Sequence, residues 1–238
     1  MLRYLLVVAA LGGCLYEEKT LSPPFGCLQD PAASTTKQSS VISGVMQDAN
    51  ARTPISGVSV ELLNDTHSSV DGPISSAGDG GFRLVLPLGG APFLRTYLKA
   101  EVAGYVLTYA ANARPVVDDL FVPYGIVSVG DASGVAIGTI GETQFAAETG
   151  TMFINVRDCN DDPVAGATIT SVPPLRVFYF QGFNPSSVPT STTEAGVALI
   201  ADLTEPMVTV NVSVGDVTYR PQTYKVEHDA FTQVDITP

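Results

Sequence analysis

The sequence predicts an all-β chain, two tandem antiparallel β-sandwiches that follow an amino-terminal leader and a flexible tether. Two observations predict it. From Val41 onward apolar residues recur with a period of two rather than 3.6, and turn residues interrupt them at short intervals, as in a chain of many short strands. One order of motifs then occurs twice, which sets the number of sandwiches at two. Composition agrees. With 45% hydrophobic residues the chain has ample material for a core, which excludes a disordered acidic tail. It carries 24 acidic and 12 basic residues, a net charge of −12. Its few Lys and Arg are scattered and cannot neutralise a phosphate backbone, so a nucleic-acid partner is excluded.

The leader comes first. Met1-Leu2-Arg3 is a short basic start, and Tyr4 to Leu11 is an apolar run. A spanning helix needs about 20 apolar residues, so this run fits a secretory signal instead. It ends in Leu11-Gly12-Gly13-Cys14, followed by polar Glu17-Glu18-Lys19. These residues resemble the bacterial lipobox, a Leu and two small residues before Cys. The resemblance implies cleavage before Cys14 and acyl chains on that residue, enough to anchor the protein stably. Leu15, rather than Asp, follows the Cys, which by the same resemblance favours the outer membrane. Loss of Arg3 with the leader leaves 11 basic and 24 acidic residues, net −13. So acidic a surface cannot hold an anionic membrane by charge, and the lipid must do the holding. Residues 15–38 are rich in Pro, Ser, Thr and Ala and read as a coil spanning roughly 25–30 Å.

The repeat fills the rest. Pro54-Ile55-Ser56-Gly57-Val58-Ser59-Val60 matches Pro163-Val164-Ala165-Gly166-Ala167-Thr168-Ile169 class for class. Each follows a strand ending in Asp, Val41–Asp48 and Met152–Asp158, because an Asp side chain favours a local turn over the ladder. Pro54 and Pro163 stand at the entrance to the second strand, where Pro is tolerated. Downstream, Asp79-Gly80-Gly81-Phe82-Arg83-Leu84 matches Glu194-Ala195-Gly196-Val197-Ala198-Leu199. That match sets Phe82, Leu84 and Leu86 on one face and Val197 and Leu199 on the equivalent one. Tyr97 to Gly104 then matches Val208 to Gly215. The predicted organisation is a signal peptide over 1–13, lipidated Cys14 and tether over 14–39, a first sandwich over 40–122, a connector over 123–149 and a second sandwich over 150–238. Within the connector one helical turn is expected near Asp131 to Ile137.

At these motifs the chain resembles the carboxypeptidase regulatory-like family, over about residues 40–122 and 150–238. The resemblance implies an Ig-like, transthyretin-like sandwich of about seven strands in each copy. It also implies domains that do no chemistry themselves and accompany a catalytic or transport unit.

The search for chemistry agrees. His67 and His228 lie in different copies and read as solvated surface residues. Intradiol dioxygenases share a related sandwich, but their iron site needs a His-x-His pair that is not present here. No nucleophile elbow or triad occurs, and three Cys without close spacing, with two distant His, cannot supply four zinc ligands. No cofactor is expected. Asp158, Asn160 and Asp162 fill alternate places of a calcium loop, but Pro163 stands at the glycine position and Ile169 at the bidentate Glu position; an acidic turn is the competing reading. Phe178, Tyr179, Phe180 and Phe183 are either a binding surface for a sugar or protein, or a strand buried on both faces. With Cys14 lipidated, Cys27 and Cys159 remain in an oxidising compartment and are expected to pair. Pairing needs Cα atoms within about 7 Å, hence a tether folded along the second sandwich. The sequence thus predicts a non-catalytic, lipid-anchored envelope protein that binds, spaces or assembles, partnered by another envelope protein; the alternative is a glycan-binding surface lipoprotein.

Overall fold

Alternation decides where the strands lie. In β1 (Ser39–Asp48) every second residue from Ser40 to Asp48 is buried, and Ile42 and Met46 point inward. The computed structural model describes residues 23–29, 33–93, 95–112, 114–141, 145–181 and 184–238. The leader, Cys14 and Phe183 lie outside the described residues. The first repeat continues through β2 (Ser59–Asn64), β3 (Ser69–Ser75), β4 (Gly81–Pro87), β5 (Thr96–Glu101), β6 (Leu107–Ala111) and β7 (Leu120–Ile126). After helix α1 (Val129–Ile140) come β8 (Gly150–Val156), β9 (Ala167–Val172), β10 (Val177–Gln181), β11 (Asn184–Ser186) and β12 (Val197–Leu203). The chain closes with β13 (Met207–Val214), β14 (Val217–Thr218), β15 (Gln222–Lys225) and β16 (Ala230–Ile236).

Three sheets form. A small one has the order β4-β1-β7, and a nine-stranded one runs β11-β10-β12-β8-β16-β6-β5-β2-β3. In the third, β13 pairs with β9, β14 and β15. Pairing is antiparallel except beside the last strand of each repeat: β1 with β7, β8 with β16, and β16 with β6 are parallel. Both repeats contribute to the nine-stranded sheet, which is continuous through the β16–β6 pair.

Sheet alternation then serves two cores at once. In β5, Leu98 and Ala100 face the first core with Ile42, Leu84 and Tyr124, while Tyr97 faces the second with Ile154, Val210 and Tyr224. Each fully buried apolar side chain of this size contributes roughly 1.5–3 kcal/mol.

The repeat survives in hydrogen bonds better than in sequence. The Ser76 hydroxyl accepts from Val58 N at 2.9 Å and donates to Ile55 O at 2.8 Å. Thr192 accepts from Ala167 N at 2.9 Å and donates to Val164 O at 2.7 Å. The next turn corrects the motif match by one residue. Met46 N donates to Gly80 O as Val156 N donates to Gly196 O, so Gly196 corresponds to Gly80 and not Gly81. A one-residue slip turns every side chain to the other face. Phe82 and Leu84 therefore correspond to Ala198 and Ile200, which point into the second core. Val197 and Leu199 face the opposite side, with Phe178 and Phe180. The same slip separates β5 from β13, since Val60 pairs with Ala100 whereas Ile169 pairs with Val212.

Helix α1 covers that opposite side through Val135. It is longer than the single turn expected, because Ser128 and Asp131 form a reciprocal cap: Asp131 N donates to Ser128 Oγ at 3.1 Å, and Ser128 Oγ to Asp131 Oδ2 at 2.7 Å. Among the described residues no helix is long and apolar enough to cross a membrane.

Candidate functional site

Among the described residues, chemistry-bearing side chains gather at three places where the repeats meet. The first is an amino-terminal strap. Residues 23–29, expected as free tether, form a 3-10 helix. Phe25 packs on Tyr219 with ring centroids 6.1 Å apart, and Arg220 donates to Leu28 O at 3.1 Å. Cys27 and Cys159 are joined by a disulfide with a Cα separation of 5.7 Å. Further along, Thr35 donates to Val117 O and Ser40 to Asp118 O, and Lys37 pairs with Asp118. The strap thus touches the second repeat and then the first. Cys27 was the signal for the contact with the second repeat, and apolar Phe25 was a further one.

The Asp158 turn beside the disulfide is a backbone device. Its Oδ1 accepts from Asn160 N at 2.8 Å and from Asp162 N at 3.0 Å. Asp48 does the same for Asn50 and Ala51 in the first repeat. The Ala51 amide, above all, holds the Asp48 carboxyl below its ordinary range against a smaller effect of burial. Among the described residues no group of His, Cys, Asp or Glu is arranged to hold a metal ion.

The second meeting place corrects the reading of His67 as a solvated residue. Its side chain is 5% exposed, because the ring stacks on Tyr109 at 4.8 Å and meets the edge of Tyr97 at 4.3 Å. Its Nδ1 lies 2.8 Å from Glu227 Oε1, and Lys225 Nζ lies 2.9 Å from the same oxygen. Nε2 is buried without a hydrogen-bond partner among the described residues. Burial lowers the ring's pKa; the Glu227 hydrogen bond opposes this, and the Lys225 charge adds to it. For Glu227, burial raises the pKa but is outweighed by hydrogen bonds from Lys225 and His67, so the carboxyl sits low. His228, by contrast, is exposed.

The third is a cleft of about 690 Å³ between the repeats. One wall is the outer edge of β7, and the other is Asn112 with residues 114–119. Asn155, Gln233 and Asp235 rise from the floor on β8 and β16, with Arg114, Arg157 and Asp161 at the rim. Asn155 Nδ2 donates to Asp235 Oδ1 at 2.8 Å, and Arg157 donates to Asp161 O at 3.1 Å. Burial raises the Asp235 carboxyl's pKa, partly offset by the Asn155 hydrogen bond and the Arg157 charge. Phe121, at 65% exposure, stands at the mouth. None of these cleft residues was singled out from the sequence, because they come from four segments that only the fold assembles.

The aromatic insert is elsewhere. Phe178 and Phe180 pack with Leu199 on one face of β10, and Tyr179 points into the second core on the other. Tyr179 OH accepts from Ile169 N at 2.9 Å, on the side of β9 away from β13.

No protein-family model and no curated protein matches the chain. Among solved structures it is similar to the Bacillus anthracis TIE protein, at 14% identity and a TM-score of 0.29, over 84% of this chain and 33% of that one. It therefore spans a third of the TIE protein's length. It is also similar to the shaft pilin SpaA from Lactobacillus rhamnosus GG, at 11% identity and a TM-score of 0.28, over 86% of this chain and 98% of that one. A third is GBS52, the minor pilin of Streptococcus agalactiae, at 15% identity and a TM-score of 0.28, over 83% and 94%. At these identities and scores the likeness carries no argument.

Proposed function

We propose that the chain is a non-catalytic envelope lipoprotein, anchored through lipid on Cys14 in the outer membrane of a bacterium, whose tandem carboxypeptidase regulatory-like sandwiches hold a partner at that surface. One observation carries the reading. The segment that emerges from the leader is bound to both repeats, through Cys27–Cys159 and Phe25–Tyr219 on one and through Thr35 and Ser40 on the other. A load applied at an amino-terminal anchor would enter both sandwiches, and the continuous nine-stranded sheet would share it between them. Phe178, Tyr179 and Phe180 are buried, so they offer no platform for a glycan.

Mass spectrometry of the mature amino terminus tests the anchor. The expected result is an acylated Cys14 in the membrane fraction and release of Cys14→Ala into the soluble fraction. An unmodified terminus at another residue, with the protein still at the membrane, would overturn it.

A further inference from the structure

The cleft lies along a strand edge whose counterpart in the second repeat is occupied. β7 runs parallel to β1 as β16 runs parallel to β8, so β7 and β16 are the same strand of the repeated unit. The far edge of β16 is taken by β6, again in parallel. Among the described residues the far edge of β7 has no strand on it, and it opens into the cleft. Its backbone direction follows from three contacts. A Cβ on Gly44 would lie 1.8 Å from Val122 O, and Ile126 O accepts from Ala49 N, so residues 122 and 126 face β1. Gly125 O accepts instead from Gln233 Nε2 at 2.8 Å, across the cleft side. By the two-residue alternation of a strand, Phe121 and Pro123 also present their backbone groups to the cleft.

We propose that this cleft docks an extended segment of a partner polypeptide, which adds in parallel to the free edge of β7 and points a basic side chain at Asp235. Strand addition supplies affinity through the backbone, and a pocket under alternate side chains supplies choice. Phe121 N–H, Phe121 C=O and Pro123 C=O are the groups offered. Proline lacks the next donor, and Gln233 already holds the Gly125 carbonyl, so the ladder is short and the edge is guarded against indiscriminate pairing. The charge follows from the lining, where Asp118, Asp119, Asp161 and Asp235 outnumber Arg114 and Arg157 even with Lys37 counted against Asp118. A cation above the floor would stabilise the ionised form of Asp235, which burial disfavours. The partner is a different polypeptide rather than a second copy, because β3, β11 and β14 carry no basic side chain, Val85 N on β4 is held by Asp71, and the edges of β15 and β9 are already bonded within the chain. On β15, Lys225 N donates to Tyr97 OH and Thr223 O accepts from Arg95. On β9, Ala167 N and Ile169 N donate to Thr192 and Tyr179.

The inference rests on the reading of the chain as a binding module, and its test is independent of the anchor. The full chain in detergent solution is titrated into a fluorescent peptide of about seven alternating Val and Thr residues with a central Lys. Fluorescence anisotropy is the readout, and a second peptide has Glu in place of the Lys. The Lys peptide is expected to bind saturably and about tenfold tighter than the Glu peptide, a preference that Asp235→Asn reduces to near one. Pro123→Val restores the missing donor and is expected to tighten both peptides about fivefold. Phe121→Pro removes a donor from an edge position and is expected to abolish binding. No binding of the Lys peptide, an unchanged affinity in Pro123→Val, or dimerisation of the chain in place of peptide binding would overturn the proposal. Failure here leaves the lipid on Cys14 untouched, and an unlipidated chain that binds leaves the cleft standing.

Discussion

The two repeats perform the same turn chemistry and differ in what lies beside their last strand. Asp48 and Asp158 close equivalent turns, and Ser76 and Thr192 make equivalent bonds to the segments that follow them. Yet β16 is buried between β8 and β6, while β7 borders an open cleft. The second repeat has β10 and β11 beyond β12, and β12 is buried on both faces. The first repeat leaves its small sheet at three strands. One local code therefore supports two neighbourhoods, a joint in one repeat and a recess in the other.

The comparison can be broken in several ways. Cys27→Ser removes the covalent tie between the strap and the second repeat. With 132 residues of separation, the chain-entropy model gives a loss of up to about 5 kcal/mol, read as a fall in Tm by calorimetry. If the strap binds both repeats, both sandwiches lose stability together; a fall confined to one transition would separate them. Gly80→Ala and Gly196→Ala come next. Both residues have positive φ, +76° and +68°, and a Cβ would lie 2.4 Å from Met46 O and 2.7 Å from Val156 O. Each substitution is expected to cost about 3 kcal/mol by urea unfolding, and unequal values would show that the turns are not equivalent. Ser76→Ala and Thr192→Val leave a buried amide unsatisfied, with an expected loss of about 1–3 kcal/mol each in the same assay.

The smallest effect is on pH dependence. The folded-state pKa of His67 lies below its ordinary value of 6.5, so the unfolded chain binds more protons in this range. The stability from neutral His67 is present above about pH 6.5 and is lost as pH falls through the lowered folded value. Glu227, also lowered, adds a loss at more acid pH, below 4.5. Urea midpoints measured at pH 7.5 and 5.5 should differ in the native chain, and His67→Gln should shrink the difference.

Much of the fold was legible because strand alternation and turn chemistry are local. Ile42, Met46, Leu84 and Leu86 are buried where period two places them. The same signal failed at Val197 and Leu199, since a motif match tolerates a slip of one residue and a sheet does not. It also missed the Ser128 cap of α1, a pattern of two residues hidden in a Gly-rich connector. His67 was illegible for another reason. Nothing in a Ser- and Asp-rich loop announces two tyrosines that arrive from β5 and β6.

By itself the sequence determined an all-β chain, the twofold repeat, and the turns at Asp48 and Asp158. These follow from properties of neighbouring residues. Only the tertiary structure decided that β16 pairs with β6, that the strap lies on both repeats, and that Asn155, Gln233 and Asp235 sit under a free edge of β7. Pairing between distant strands depends on which edges remain open after each sandwich closes, and no local pattern encodes that.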